Sequence, residues 1–129
     1  MSEFNDLVER YIAVWNEVDP DRRQRLIADT FSDSASYVDR LMASEGHAAI
    51  DGMVRAVQAR FPGYRFRRAG VVDGHHDRIR FRWELAMEGG PVVAKGTDLA
   101  TVASARMTTV TGFIDRRLLK PAVPSQGPA

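Results

Sequence analysis

The sequence of 129 residues contains no cysteine, only two lysines and no long hydrophobic run. The absence of cysteine excludes disulfide bonds, a thiol nucleophile and cysteine-based metal sites. No apolar run approaches the ~20 residues that are needed to cross a bilayer. The first ten residues also lack the basic and apolar regions of a signal peptide. We therefore expect a cytoplasmic protein that does not associate with membranes.

Basic and acidic residues are nearly equal in number, 18 and 17, and give a net charge of +1. Such a balance creates no strong field for nucleic acid, so nucleic-acid binding is not expected. The length is that of one domain, and the 44% of hydrophobic residues are enough for a core. We predict one domain over residues 1–117 and a disordered, proline-rich tail over residues 118–129.

The spacing of apolar residues predicts three helices followed by a sheet. Apolar stripes at helical spacing indicate helices near residues 3–16, 20–30 and 47–61. A short strand is predicted over residues 35–39, and alternating residues predict antiparallel strands from 64 to 114, with a turn at 73–76. Helices gathered on one face of an antiparallel sheet give an α+β domain.

Asp98 interrupts an otherwise apolar or small face of the strand over residues 92–103. A carboxylate on such a face must be paired, neutralised or placed on a cavity, because burying an isolated charge is very unfavourable. The small neighbours Ala94, Gly96 and Ala100 leave space, which favours a cavity. A structural acid that is bonded to a helix end or a core hydroxyl remains the alternative.

Two further polar residues fall at positions that suit either function or structure. Asp39 ends the early strand beside a loop, where functional residues are common but where aspartate also starts turns. Tyr11 lies on the apolar stripe of the first helix, and its buried hydroxyl needs a hydrogen-bond partner. Neither residue decides the function alone, and a core role for Tyr11 stays open.

Four segments together resemble the NTF2-like superfamily, and most closely its branch of SnoaL-like polyketide cyclases and ketosteroid isomerases. They are the helix around Tyr11, the strand that ends at Asp39, the stretch 45–50 and the strand that carries Asp98. The resemblance extends over about residues 4–115. It implies a cone in which a strongly curved antiparallel sheet wraps three N-terminal helices and leaves a deep apolar pocket. It also implies a homodimer, because relatives commonly pair through the outer face of the sheet.

In ketosteroid isomerases, a tyrosine and two aspartates at matching positions form the active site, which makes Tyr11, Asp39 and Asp98 the candidate catalytic residues. The resemblance implies that Asp39 removes a proton next to a carbonyl group. Tyr11 and a neutral Asp98 would then stabilise the enolate, as in the known isomerase mechanism. Arg40 follows Asp39 and departs from that pattern, since its charge could pair with Asp39 or bind an acidic substrate.

Other side chains are candidates for the pocket wall or for contact with a ligand. The predicted substrate-binding residues are Trp15, Met42, His47, Phe81, Trp83 and Phe113. His47 begins the third helix, where a neutral hydrogen-bonding role competes with proton transfer. His75, His76 and Asp77 resemble metal ligands in composition alone, so no metal site is predicted. No nucleotide-binding or hydrolase motif is found, and no cofactor is expected.

The sequence leaves two classes of function open. One is an enzyme that carries out general acid–base chemistry, of the isomerase or cyclase type, on a small apolar carbonyl compound. The other is a non-catalytic protein of the same fold that binds a small apolar molecule or acts as a dimerisation module. A catalyst requires a carboxylate base that faces the pocket, whereas a binding protein does not.

Overall fold

The computed structural model describes residues 2–117 as three helices and one six-stranded sheet. The elements are α1 Ser2–Asn16, α2 Pro20–Thr30, β1 Phe31–Val38, β2 Ala43–Glu45, α3 His47–Arg60, β3 Tyr64–His75, β4 Arg78–Met87, β5 Val92–Ala103 and β6 Arg106–Arg117. This arrangement confirms the predicted α+β fold. The predicted tail, residues 118–129, lies outside the described residues. None of the helices within residues 2–117 is long and apolar enough to span a membrane.

The strand order in the sheet is β2-β1-β6-β5-β4-β3. All neighbouring strands pair in antiparallel fashion except β1 and β6, which run parallel, with Tyr37 opposite Val110. The strands predicted between residues 64 and 114 are antiparallel, as expected, whereas the parallel pairing of the early strand β1 with β6 was not predicted. The physical reason is connectivity: the chain leaves β1 through β2 and α3, builds the β3–β5 meander and returns beside β1 only at the end.

Several register shifts bend the sheet into its curved form. They occur between Phe31 and Ser36 in β1, between Ala69 and Asp73 in β3, and at three further places in β4 and β5. Gly70 adopts a backbone φ of 79° inside the β3 irregularity, a conformation that residues other than glycine rarely take. Extra residues of this kind bend a strand and increase its local twist. The curvature creates room between the sheet and the helices.

The helices pack against the concave face through apolar stripes. On α1 the buried residues are Leu7, Val8, Tyr11, Ile12, Val14 and Trp15. At the end of this helix, the Asn16 side chain both donates to and accepts from the backbone of Phe66, each at 2.8 Å. Because β3 is an edge strand, this pair of bonds joins the helix to the sheet edge.

A buried arginine connects the three helices. Arg23 is almost completely buried, and its guanidinium donates to Asp51 at 2.6 Å, to the Glu17 carbonyl at 2.9 Å and to Gln58 at 3.3 Å. A buried charge is tolerated only when it is paired and hydrogen-bonded, as it is here. These contacts hold the ends of α1, α2 and α3 together.

Several predicted boundaries differ from the structure, among them the end of β1 at Val38 instead of residue 39 and the end of α3 at Arg60 instead of residue 61. β1 begins at Phe31 rather than at residue 35, and β2 was not predicted. β3 extends to His75, so the turn lies at His76 and Asp77 rather than over residues 73–76. His76 has a φ of 55° at this turn. The pairing of β3 with β4 continues up to His75 and Arg78, and no local pattern in the sequence reveals this pairing.

Candidate functional site

A cavity of about 740 Å³ lies between the helices and the concave face of the sheet. Most of its wall is apolar, and its lining residues are Tyr11, Ile12, Trp15, Tyr37, Asp39, Leu41, Met42, Ala56, Val57, Arg60, Phe61, Phe66, Trp83, Leu85, Ala94, Asp98 and Ile114. Tyr11 and Asp98 are each only 2% exposed, so they form its deep end. Leu41 lines the same cavity and is 57% exposed, which places the opening at the loop after β1.

Asp98 is the buried acid at the deep end of the cavity. Its Oδ2 accepts a hydrogen bond from the Tyr11 hydroxyl at 2.6 Å, and its Oδ1 accepts one from the Trp83 indole N–H at 3.0 Å. Burial raises the pKa of Asp98 from its ordinary value of 3.8 to about 6. The hydrogen bonds from Tyr11 and Trp83 oppose this rise, and the nearby charge of Asp39 adds to it.

The two hydrogen bonds determine where a proton on Asp98 would reside. An indole N–H can only donate, so Asp98 Oδ1 is an acceptor whether or not the carboxyl group is ionised. A proton is better placed on Oδ2, where it donates to the Tyr11 oxygen. The Tyr11 hydroxyl hydrogen can then turn towards the cavity. When Asp98 loses its proton, the direction reverses and Tyr11 donates to Oδ2.

Burial and the neighbouring acid also keep Tyr11 in its neutral form. Its pKa is raised well above 10.0, mainly by desolvation and then by the charge of Asp98. Its ring packs edge-on against Phe31 and Phe81, with centroid distances of 5.9 and 5.2 Å. Tyr11 is therefore both a core side chain and a hydrogen-bond donor at the cavity, so the two interpretations of this residue are compatible.

Asp39 is the second carboxylate on the cavity wall. Its Oδ2 accepts from the Tyr37 hydroxyl at 2.6 Å, and its Oδ1 accepts from the backbone N–H groups of Leu41 and Met42 at 2.7 and 2.9 Å. Asp39 thus fixes the turn that follows β1, as one of the two interpretations of this residue predicts. It also faces the cavity, as the other predicts.

The hydrogen-bond networks of the two acids meet at Gly112 on β6. A Cβ atom placed on Gly112 would lie 2.9 Å from Asp98 Oδ1, 3.1 Å from the Tyr37 hydroxyl oxygen and 3.4 Å from Asp39 Cβ. The charge of Asp98 is also among the causes that raise the pKa of Tyr37 above its ordinary value, after desolvation. Glycine at this position lets the two networks approach each other.

The structure brings together six of the nine predicted site residues. Those that line the cavity are Tyr11, Trp15, Asp39, Met42, Trp83 and Asp98. The other three, His47, Phe81 and Phe113, are not among its lining residues.

Phe113, Phe81 and His47 each lie elsewhere for a separate reason. Phe113 is 55% exposed on the outer face, because Gly112 opposite Asp98 faces inward and the next residue alternates outward. Phe81 is buried and packs against the Tyr11 ring. The His47 Nε2 atom lies 3.0 Å from the carbonyl oxygens of Phe31 and Ser32, so it must donate there and joins α3 to β1.

Some of the lining residues carry no clear signal in the sequence. Tyr37 lies near the end of β1, two residues before Asp39 in the sequence, and that spacing could have revealed it. Leu41 and Arg60 are exposed, and no local pattern distinguishes them from ordinary surface residues. Gly112 carries no side-chain signal, and only the register between β5 and β6 places it opposite Asp98.

Comparison with known proteins points to a single family. The family model of the SnoaL-like domain matches residues 8–110. A SnoaL-like family protein from Agrobacterium tumefaciens, named as a candidate isomerase, has 39% identical residues and a TM-score of 0.85, over 90% of this chain and 100% of that chain. No curated protein matches the sequence significantly.

More distant solved structures share the fold. A candidate polyketide cyclase from Sinorhizobium meliloti has 19% identity and a TM-score of 0.65, over 83% of this chain and 93% of that chain. A protein from Catenulispora acidiphila with a ketosteroid isomerase-like fold has 15% identity and a TM-score of 0.66, over 82% of each chain. With the match to the family model over most of its length, the chain belongs to the SnoaL-like family.

Proposed function

We propose that this protein is a general acid–base enzyme of the isomerase or cyclase type that acts on a small apolar carbonyl compound. The observation that carries this proposal is the buried carboxyl group of Asp98 at the deep end of an apolar cavity. Its two oxygens are bonded to Tyr11 and Trp83, and its pKa is raised to about 6. A buried carboxyl group whose pKa is raised can stay neutral in an occupied cavity and act as a hydrogen-bond donor towards a developing negative charge.

In the proposed reaction Asp39 acts as the base. Its Oδ2 accepts one hydrogen bond, from Tyr37, and a carboxylate oxygen has a second lone pair that can take a proton. The carbon next to the substrate carbonyl loses its proton to Asp39, and the electron pair moves to the carbonyl oxygen. Return of the same proton from Asp39 to another carbon completes an isomerisation.

Tyr11 and Asp98 would stabilise the negative oxygen that forms in this step. With Asp98 neutral and donating to the Tyr11 oxygen, the Tyr11 hydroxyl hydrogen is available to the substrate. An apolar ligand displaces water from the cavity, and this further desolvation favours the neutral form of Asp98. Hydrogen-bond donors that are already in place where charge develops are among the strongest contributions to enzyme catalysis.

A ligand-binding protein without turnover is the second candidate function. The observation that favours it is the set of three hydrogen bonds to Asp39, two of which come from the backbone of the following turn. These bonds explain Asp39 as a structural residue. In that case the cavity would hold an apolar molecule, and Asp39 would serve to fix its opening.

Deuterium exchange into cyclic enones, beginning with isophorone, distinguishes the two functions. We expect the native protein to accelerate exchange next to the carbonyl group. Asp39→Asn should reduce the rate by about 10²–10⁴-fold, the usual contribution of a general base. Asp98→Asn should reduce it less, because the amide still donates to Tyr11. Glu88→Gln, in the exposed turn after β4, is the matched control. Accelerated exchange that is indifferent to Asp39→Asn would show that Asp39 is not the base, and no acceleration by the native protein would favour the binding protein.

A further inference from the structure

Arg60 is the cationic residue on the wall of the cavity. It belongs to the last turn of α3, lines the cavity and is exposed to solvent. A residue with both properties must lie where the cavity meets solvent. Among residues 2–117, no carboxylate forms an ion pair with Arg60. Its charge is therefore available to a ligand.

The cavity separates Arg60 from the buried acid. Ala94 and Asp98 both line the cavity, and they are four residues apart on β5, or roughly 13 Å at ~3.3 Å per residue. Arg60 is exposed to solvent, whereas Asp98 is only 2% exposed, so Arg60 lies on the solvent side of the cavity and Asp98 lies at its deep end.

From this arrangement we propose that the ligand is an apolar carbonyl compound with a carboxylate group at the end opposite the carbonyl. The carboxylate would pair with the Arg60 guanidinium at the opening, while the carbonyl group reaches Tyr11 and Asp98. A guanidinium binds a carboxylate through two parallel hydrogen bonds, which fixes orientation as well as charge. This assignment of the substrate class rests on the proposed function, but the binding step can be measured without any turnover.

Two pairs of matched probes test the proposal. N-phenyl-1-naphthylamine is a neutral fluorescent probe for an apolar cavity, and 1-anilinonaphthalene-8-sulfonate is the same skeleton with an anionic group. Two competitors of nearly equal size then displace the neutral probe. One is the carboxylate of 1-naphthaleneacetic acid, and the other is its neutral amide, 1-naphthaleneacetamide. We expect the native protein to prefer each anion over its neutral partner by about twofold to fivefold, the range for an exposed charged pair.

The variants separate Arg60 from the overall charge of the protein. Arg60→Gln should abolish the preference for both anions and leave binding of the neutral probe unchanged, whereas Arg60→Lys should retain part of it. Arg25→Gln removes one exposed charge on α2, away from the cavity, and should leave the preference intact. Raising the salt concentration should weaken the preference in the native protein.

Three results would overturn the proposal. The first is a preference for the anion that survives Arg60→Gln. The second is a loss of affinity in Arg60→Gln that is equal for both members of each pair. The third is a loss of the preference in Arg25→Gln as large as that in Arg60→Gln. The second result would assign Arg60 to the stability of the last turn of α3, where a cation is favourable. The exchange experiment with the neutral isophorone does not depend on Arg60, so the two proposals fail separately.

Discussion

Replacing Asp98 by asparagine should change the pH dependence of stability. The folded-state pKa of Asp98 is about 6, against an ordinary value of 3.8. Below pH 3.8 the group is protonated in both the folded and the unfolded protein and does not affect the balance between them. As the pH rises from about 4 through 6, the unfolded state releases this proton more readily. The native protein therefore loses stability over this range.

The size of the effect follows from the two pKa values. The difference between 3.8 and about 6 corresponds to ~3 kcal/mol, at ~1.36 kcal/mol per pH unit. No reduction for solvent screening applies, because Asp98 is only 2% exposed. Asparagine cannot ionise, and its amide can accept from Trp83 and donate to Tyr11 as the neutral acid does. The free energy of unfolding of Asp98→Asn, relative to that of the native protein, should therefore rise by ~3 kcal/mol between pH 4 and pH 8.

Urea unfolding followed by circular dichroism, at each pH from 4 to 8, measures this difference directly. Glu88→Gln removes one exposed negative charge and should show no comparable trend. In Trp83→Phe the carboxylate loses the N–H donor that lowers its pKa, so its titration should move to higher pH in NMR spectra. If the free energies of unfolding of the native protein and Asp98→Asn differ by a constant amount from pH 4 to pH 8, the reasoning is refuted.

Two further substitutions test the packing around the site. Gly112→Ala should cost about 1–3 kcal/mol, because the new methyl group would lie 2.9 Å from Asp98 Oδ1. Gly52→Ala, inside α3, should instead stabilise, because its methyl group would meet only the Arg55 side chain, at an ordinary contact distance of 3.8 Å. Urea unfolding that gives both variants the same sign would contradict the steric explanation. Arg23→Ala should cost about 3 kcal/mol or more, whereas Arg22→Ala, whose side chain is 66% exposed, should cost under about 1 kcal/mol in the same assay.

Local patterns predicted the elements that bury one face. The bounds of α2 and β5 were predicted to the residue, because their apolar positions follow the helical and the alternating period closely. β2 has three residues and no buried position, so it offers no periodic signal. The parallel pairing of β1 with β6 joins positions 37 and 110, and no local period encodes contacts at that distance.

The site was predictable where one residue breaks a pattern. Asp98 stands out because every other residue on its face of β5 is small or apolar, and Trp83 follows from the alternation in β4. Phe113 was placed on the wall because it is aromatic, but the register between β5 and β6 turns it outward. Arg60 could not be found, because an exposed arginine near the end of a helix has the same sequence signal in any role. The homodimer remains a prediction.

The central position of β6 has a consequence for the order in which the molecule is completed during synthesis. β6 is the last strand of the described chain, yet it is the one that joins β1 to β5 and carries Gly112 between the two acids. Contacts between such distant parts of a chain form slowly, because the entropy of a large loop is lost first. Until residues 106–117 arrive, β1 and β5 each present an unpaired edge. Unpaired edges invite association with other chains, so aggregation should be most severe in ribosome-bound chains that end just before β6.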